Sequence, residues 1–122
     1  MKFNPRLKQS VMKYIDYVII VEGKKDVIAL ENLGFSKVYA VHETGTSLRE
    51  RAEIIASKIA KKEKICILTD FDKKGKQLYM KLKSIFQEIG VSLDSSLRGL
   101  LIKARISHIE GLDSFMDKID KI

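Results

Sequence analysis

Ile65-Cys66-Ile67-Leu68-Thr69-Asp70-Phe71-Asp72-Lys73-Lys74-Gly75 is the stretch that decides the fold. An apolar run rich in β-branched residues passes directly into acidic residues and a glycine. That is how a strand covered on both faces reads when its carboxyl end meets solvent. Residues two apart in an extended segment point the same way, so Asp70 and Asp72 can face one ligand together. Upstream, Val18-Ile19-Ile20-Val21-Glu22-Gly23 repeats the arrangement, an apolar run ending at a carboxylate. Open parallel sheets bind ligands at the carboxyl ends of their strands, so Glu22, Asp70 and Asp72 are expected along one edge. Clustered carboxylates suit a hard cation. Mg²⁺, with Mn²⁺ as a substitute, takes one or two carboxylates and completes its shell with water and phosphate.

The rest of the chain alternates helix and strand around these two runs. Phe3, Leu7, Val11, Tyr14 and Ile15 follow helical spacing, which predicts an amino-terminal helix over about 3–16. The first strand follows at 17–21. A helix over 25–33 stops at Gly34, and a short strand is expected at 37–41. After the Thr44-Gly45-Thr46 turn, Ser47-x-x-Glu50 has the form of a capping box and opens a helix with Leu48, Ala52, Ile55, Ala56 and Ile59 inward. Leu78, Leu82, Ile85, Phe86 and Ile89 mark a third helix, ended by Gly90. Asp94 can cap a short helix reaching Lys103, 105–109 reads as a last strand, and Leu112, Phe115, Met116 and Ile119 suggest a final helical turn over 111–122. Such βα alternation predicts a three-layer α/β fold with a mainly parallel sheet of about four strands, helices on both faces, and a core over about 17–110.

Length and composition fit one domain. At 122 residues, with 45% hydrophobic, the chain can bury a sizeable core. Lys and Arg number 23 against 16 Asp and Glu, a formal +7 that favours polyanionic partners. The single cysteine, Cys66, excludes an internal disulfide and a cysteine-based zinc site and suggests a reducing cytoplasm. No apolar run reaches about 18 residues and the amino terminus lacks a signal-peptide core, so neither membrane insertion nor secretion is expected.

Glu22-Gly23-x-x-Asp26, a Gly45-Thr46 turn, and Asp70-x-Asp72-x-x-Gly75, in that order and each acid after an apolar run, resemble the Toprim domain of topoisomerases, bacterial primases and some nucleases. The match spans most of the chain, which resembles small stand-alone Toprim proteins of archaea and bacteria, including their carboxy-terminal stretch, here Arg98 to Glu110. It is more distantly similar to the Toprim ribonuclease that matures a small ribosomal RNA. The resemblance implies a Rossmann-like Toprim fold over 1–122, Mg²⁺-dependent phosphodiester chemistry, Glu22 as general acid or base, and RNA favoured over DNA.

On this reading Asp70 and Asp72 hold the metal, with Glu22 completing the site, and Lys24, Lys73 and Lys74 neighbour the phosphate. Each has a blander alternative. The lysines can be plain solvated surface, Asp72 or Asp70 can cap the following helix, and Asp26 can simply complement a helix dipole. Asp26, Gly23, Gly45, Thr46 and Gly75 are expected around the site, the glycines for backbone geometry. Glu43 reads as a loop residue. His42 and His108 show no metal-ligand spacing and are expected at strand ends with local hydrogen bonds.

Brevity limits the reaction. Strand passage needs a nucleophilic tyrosine outside the Toprim fold, whereas Tyr14, Tyr17, Tyr39 and Tyr79 all read as helix or strand residues. Priming needs further polymerase regions. A nuclease or RNA-processing factor needs only metal, water and a binding surface. The rival reading is a non-catalytic nucleic-acid-binding module or scaffold subunit, in a homodimer or larger processing complex, for which the lysines at 58, 61, 62 and 64 offer a phosphate grip. A receiver-like phosphoacceptor role for Asp70 ranks last, because the first strand lacks the acidic pair such domains need.

Overall fold

A computed structural model describes residues 6–120, with side chains through Met116. Strands β1 (Val18–Val21), β2 (Val38–Ala40) and β3 (Ile65–Ile67) form a parallel sheet in the order β2-β1-β3. All four residues of β1 are buried, as a central strand covered on both faces requires. Val18 and Ile20 pack with Ile65, Ile67, Ala52, Ile55, Leu82 and Phe86, whereas Ile19 and Val21 pack with Cys66, Leu68, Leu30, Leu97 and Leu101 on the opposite side. The period-two alternation therefore divides the core into two layers.

Helices α1 (Leu7–Met12), α2 (Lys24–Asn32), α5 (Ser96–Lys103) and α6 (Leu112–Asp120) belong to the second of these layers, and α3 (Leu48–Ser57) and α4 (Lys73–Ile89) to the first. Local chemistry sets their ends. Ser47 Oγ accepts from Glu50 N at 3.1 Å and opens α3; Asp72 Oδ1 accepts from Gly75 N at 2.8 Å and opens α4. Gly90, at φ +92°, closes α4.

Two expectations are corrected. The sheet has three strands, not about four, and 105–109 is not a strand. Arg105 adopts φ +60°, which turns the chain sharply out of α5. The segment then crosses the carboxyl end of β3 instead of running beside it, with Phe71 N bonded to Ser107 O at 3.0 Å, and enters a 3-10 turn at Ile109–Gly111. Ile106 and Ile109 are buried three positions apart, so the segment resembles a strand in composition but not in its burial period. On the far edge of β3, Leu93 makes only an isolated bridge to Ile65. Helix α1 is also shorter than expected, because i to i−3 bonds from Tyr14 and Ile15 tighten its end into turns. Phe3 and Ile119, both assigned to helix faces above, lie outside the described side chains.

Candidate metal centre

The end of β3 is held so that its two aspartates converge. Asp70 Oδ1 accepts from Ile109 N at 2.9 Å, and Asp70 Oδ2 lies 3.4 Å from His108 Nδ1. Asp72 spends one oxygen, Oδ1, on the α4 cap. One ligand atom each from Asp70, Asp72 and His108 lie within 4.8 Å of one another. Asp70 is partly buried; Asp72 and His108 are exposed.

The turn between strand and helix is tight. A Cβ at Gly75 would collide with the carbonyl oxygen of Asp70, so α4 can approach the strand end only with glycine there. Thr69, fully buried, donates from Oγ1 to Gly75 O at 2.7 Å and draws the two sides together. Beneath them lies Arg98, 4% exposed. Its guanidinium donates to Thr69 O at 2.7 Å and reaches Asp70 O at 3.4 Å, between the rings of Phe71 and Tyr79 at 4.7 and 4.2 Å. Among the described residues Arg98 has no carboxylate partner. Burial lowers its pKa from the ordinary arginine value, and it remains a cation.

Glu22 follows β1, where His42 N donates to its carbonyl at 3.0 Å and His42 Nδ1 lies 3.9 Å from Oε1. It is not in the Asp70–Asp72–His108 group, yet both flank Asp26. Asp26 is 8% exposed and its Oδ2 accepts from Gly23 N at 3.1 Å. Burial raises its pKa, opposed by that hydrogen bond, and Asp70, Glu22 and Glu110 add repulsion in the same direction as burial.

Of the residues singled out in the sequence, the fold brings Asp70 and Asp72 together, sets Asp26 within electrostatic reach of Asp70 and Glu22, and lines one cleft with Glu22, Thr46 and Lys74. Lys24 and Lys73 start their helices as exposed residues outside that cleft. Gly45 turns the β2–α3 loop at φ +81°, whereas Gly23 is extended with open space where a side chain would sit. His108 departs from expectation: it precedes the 3-10 turn and joins the aspartates, with no strand beneath it. The sequence signals Arg98 and Glu110 only as the ends of the 98–110 stretch, without a role for either.

Fold and site together define an α/β domain whose parallel strands end in clustered acids. More narrowly, the chain belongs to the Toprim family, whose domain pattern matches residues 16–95. It is 30% identical over 107 residues to a UPF0292 protein of Methanosarcina barkeri, covering 84% of this chain and 71% of that one. A UPF0292 protein of Methanocaldococcus jannaschii is 30% identical over 105 residues, 82% and 78% of the two chains. A solved structure of an Aquifex aeolicus protein superposes with a TM-score of 0.71 at 26% identity, over 90% of this chain and 98% of that one.

Proposed function

We propose that the chain is a divalent-metal-dependent enzyme acting on phosphodiester bonds in nucleic acid, a nuclease or RNA-processing factor with RNA favoured over DNA. The observation that carries this reading is the convergence of Asp70, Asp72 and His108 at the strand-end edge of a Toprim chain. The donors fit Mg²⁺ or Mn²⁺: Asp70 and Asp72 supply carboxylate oxygens, the hard ligands these ions take, Ile109 N orients Asp70 by hydrogen bonding, and His108 Nδ1 stands 3.4 Å from its other oxygen. When bound, the ion neutralises charge on the phosphate.

The chain's own groups supply the rest. Glu22, with a quarter of its side chain exposed, exchanges a proton with the attacking or leaving oxygen. Lys74 lines the cleft beside it, and with Lys24 and Lys73 at helix starts receives phosphate. Asp26 and the turns at Gly23, Gly45-Thr46 and Gly75 shape the site. A reducing cytoplasm suits Cys66, whose buried thiol is pushed up to about 12 and has no disulfide partner. Among the described residues no helix is long and apolar enough to cross a membrane.

The test incubates purified protein with labelled structured RNA, single-stranded DNA and duplex DNA, with Mg²⁺, Mn²⁺ or chelator. Glu22→Gln keeps the shape and removes the exchangeable proton, so turnover should fall by about 10²–10⁴ with the fold intact. Asp70→Asn should lose metal affinity in calorimetry together with activity. Cleavage equal in wild type and Glu22→Gln would assign the activity elsewhere. No metal-dependent cleavage of any substrate would favour the non-catalytic binding module.

A further inference from the structure

Beside Glu22 the surface opens into a cleft of about 600 Å³ between the β2–α3 loop and the first turns of α4, a volume usual for small-ligand sites. Val41, Leu48 and Leu78 give it apolar walls, and Gln77 adds an amide that both donates and accepts. Lys74 and Lys81, two turns apart on the same face of α4, put a cation at each end of that stretch. Glu43, also on the rim, is drawn off by Arg51 at 3.6 Å. A surface built only to hold phosphates needs the lysines but not the apolar walls or the amide.

We propose that this cleft receives one unpaired nucleobase of a single-stranded nucleic acid, while Lys74 and Lys81 attract the adjoining phosphates. The proposal rests on the phosphodiester reading above, because Glu22 lines the same cleft. A base seated against Leu48 and Leu78 carries its own backbone toward the acidic edge, whereas a base stacked and paired in a duplex presents no free face to the walls. No Phe, Tyr or Trp lines the cleft, so recognition is by aliphatic packing and the Gln77 amide, with the His42 imidazole as the one ring among the lining residues.

Fluorescence anisotropy in chelator tests this without turnover. A labelled single-stranded oligonucleotide should bind about tenfold more tightly than an abasic sugar-phosphate oligomer of equal length and charge, the scale set by burying the apolar surface of one base. Thr44→Leu and Gln77→Ile push branched side chains into the cleft from opposite walls, and both residues are exposed and tolerate the change. Each should reduce the preference to within about twofold while leaving abasic binding unchanged. Equal binding of the two oligomers by the wild type, or a preference that survives either substitution, would overturn the proposal. Displacement of the strand by an equal concentration of free nucleoside monophosphate would also overturn it, assigning the cleft to a free nucleotide. Loss of cleavage with the base preference intact would remove only the enzymatic reading; cleavage without the preference would remove only this one.

Discussion

Asp26 has a carboxyl held above its ordinary pKa, first by burial and then by the charges of Asp70, Glu22 and Glu110, with the Gly23 N–H pulling the other way. A raised folded-state pKa means that the folded chain holds this proton more tightly than the unfolded chain does. Stability from this group is therefore greatest at low pH and falls as pH rises past the unfolded value of about 3.9 through the folded value. Asn keeps an oxygen for Gly23 N and removes the charge. Asp26→Asn should thus raise stability at pH 7 in chelator, visible as a higher Tm, and the gain should vanish below about pH 4. Equal Tm at pH 7 would show that the charge is already compensated. The sequence placed Asp26 in the first turn of α2, but its burial depends on how α2 meets the 3-10 turn, which spacing does not reveal. His108 is similar: it joins Asp70 from 38 positions away, across a segment whose course is set by the turn at Arg105.

Helix α4 shows how an element is fitted to a site. In an ordinary helix interior, glycine to alanine stabilises by about 0.5–1 kcal/mol. At Gly75 the new methyl would meet the Asp70 carbonyl, which is backbone and cannot swing aside. Gly75→Ala should therefore destabilise by about 1–3 kcal/mol in urea unfolding and weaken metal binding in calorimetry, because α4 and Asp70 must move apart. A stabilised variant would contradict the close packing of α4 on the strand end. The Asp-x-Asp and Gly-x-x-Asp turns, the Ser47 and Asp72 caps and the Gly90 stop were all legible, because each rests on residues within a few positions. The misread segment at 105–109 has buried residues at 106 and 109, a spacing of three, but its composition matches a strand until the positive φ at Arg105 is known.

For the molecule as a whole, the excess of basic residues predicts how it meets a polyanion. With four Tyr, five Phe and no Trp, aromatic stacking has little material, so affinity for nucleic acid should be mainly electrostatic. Raising salt from about 50 to 200 mM should weaken binding steeply, by about tenfold or more if several phosphates are contacted. An affinity insensitive to salt in a binding titration would contradict the basic-surface argument. The fold class and the acidic edge were legible in the order of two apolar runs with their acids, since βα alternation leaves few topologies. The number of strands was not, because the expected last strand, 105–109, turns at Arg105 and crosses the end of β3 instead of pairing along it. Arg98, finally, bears on how the edge stands without an ion. The chain keeps a buried cation behind Asp70, fastened to carbonyls and framed by two rings, so the strand end is braced by the protein's own groups. Chelation should then leave the turn folded, so that folding would not wait on metal.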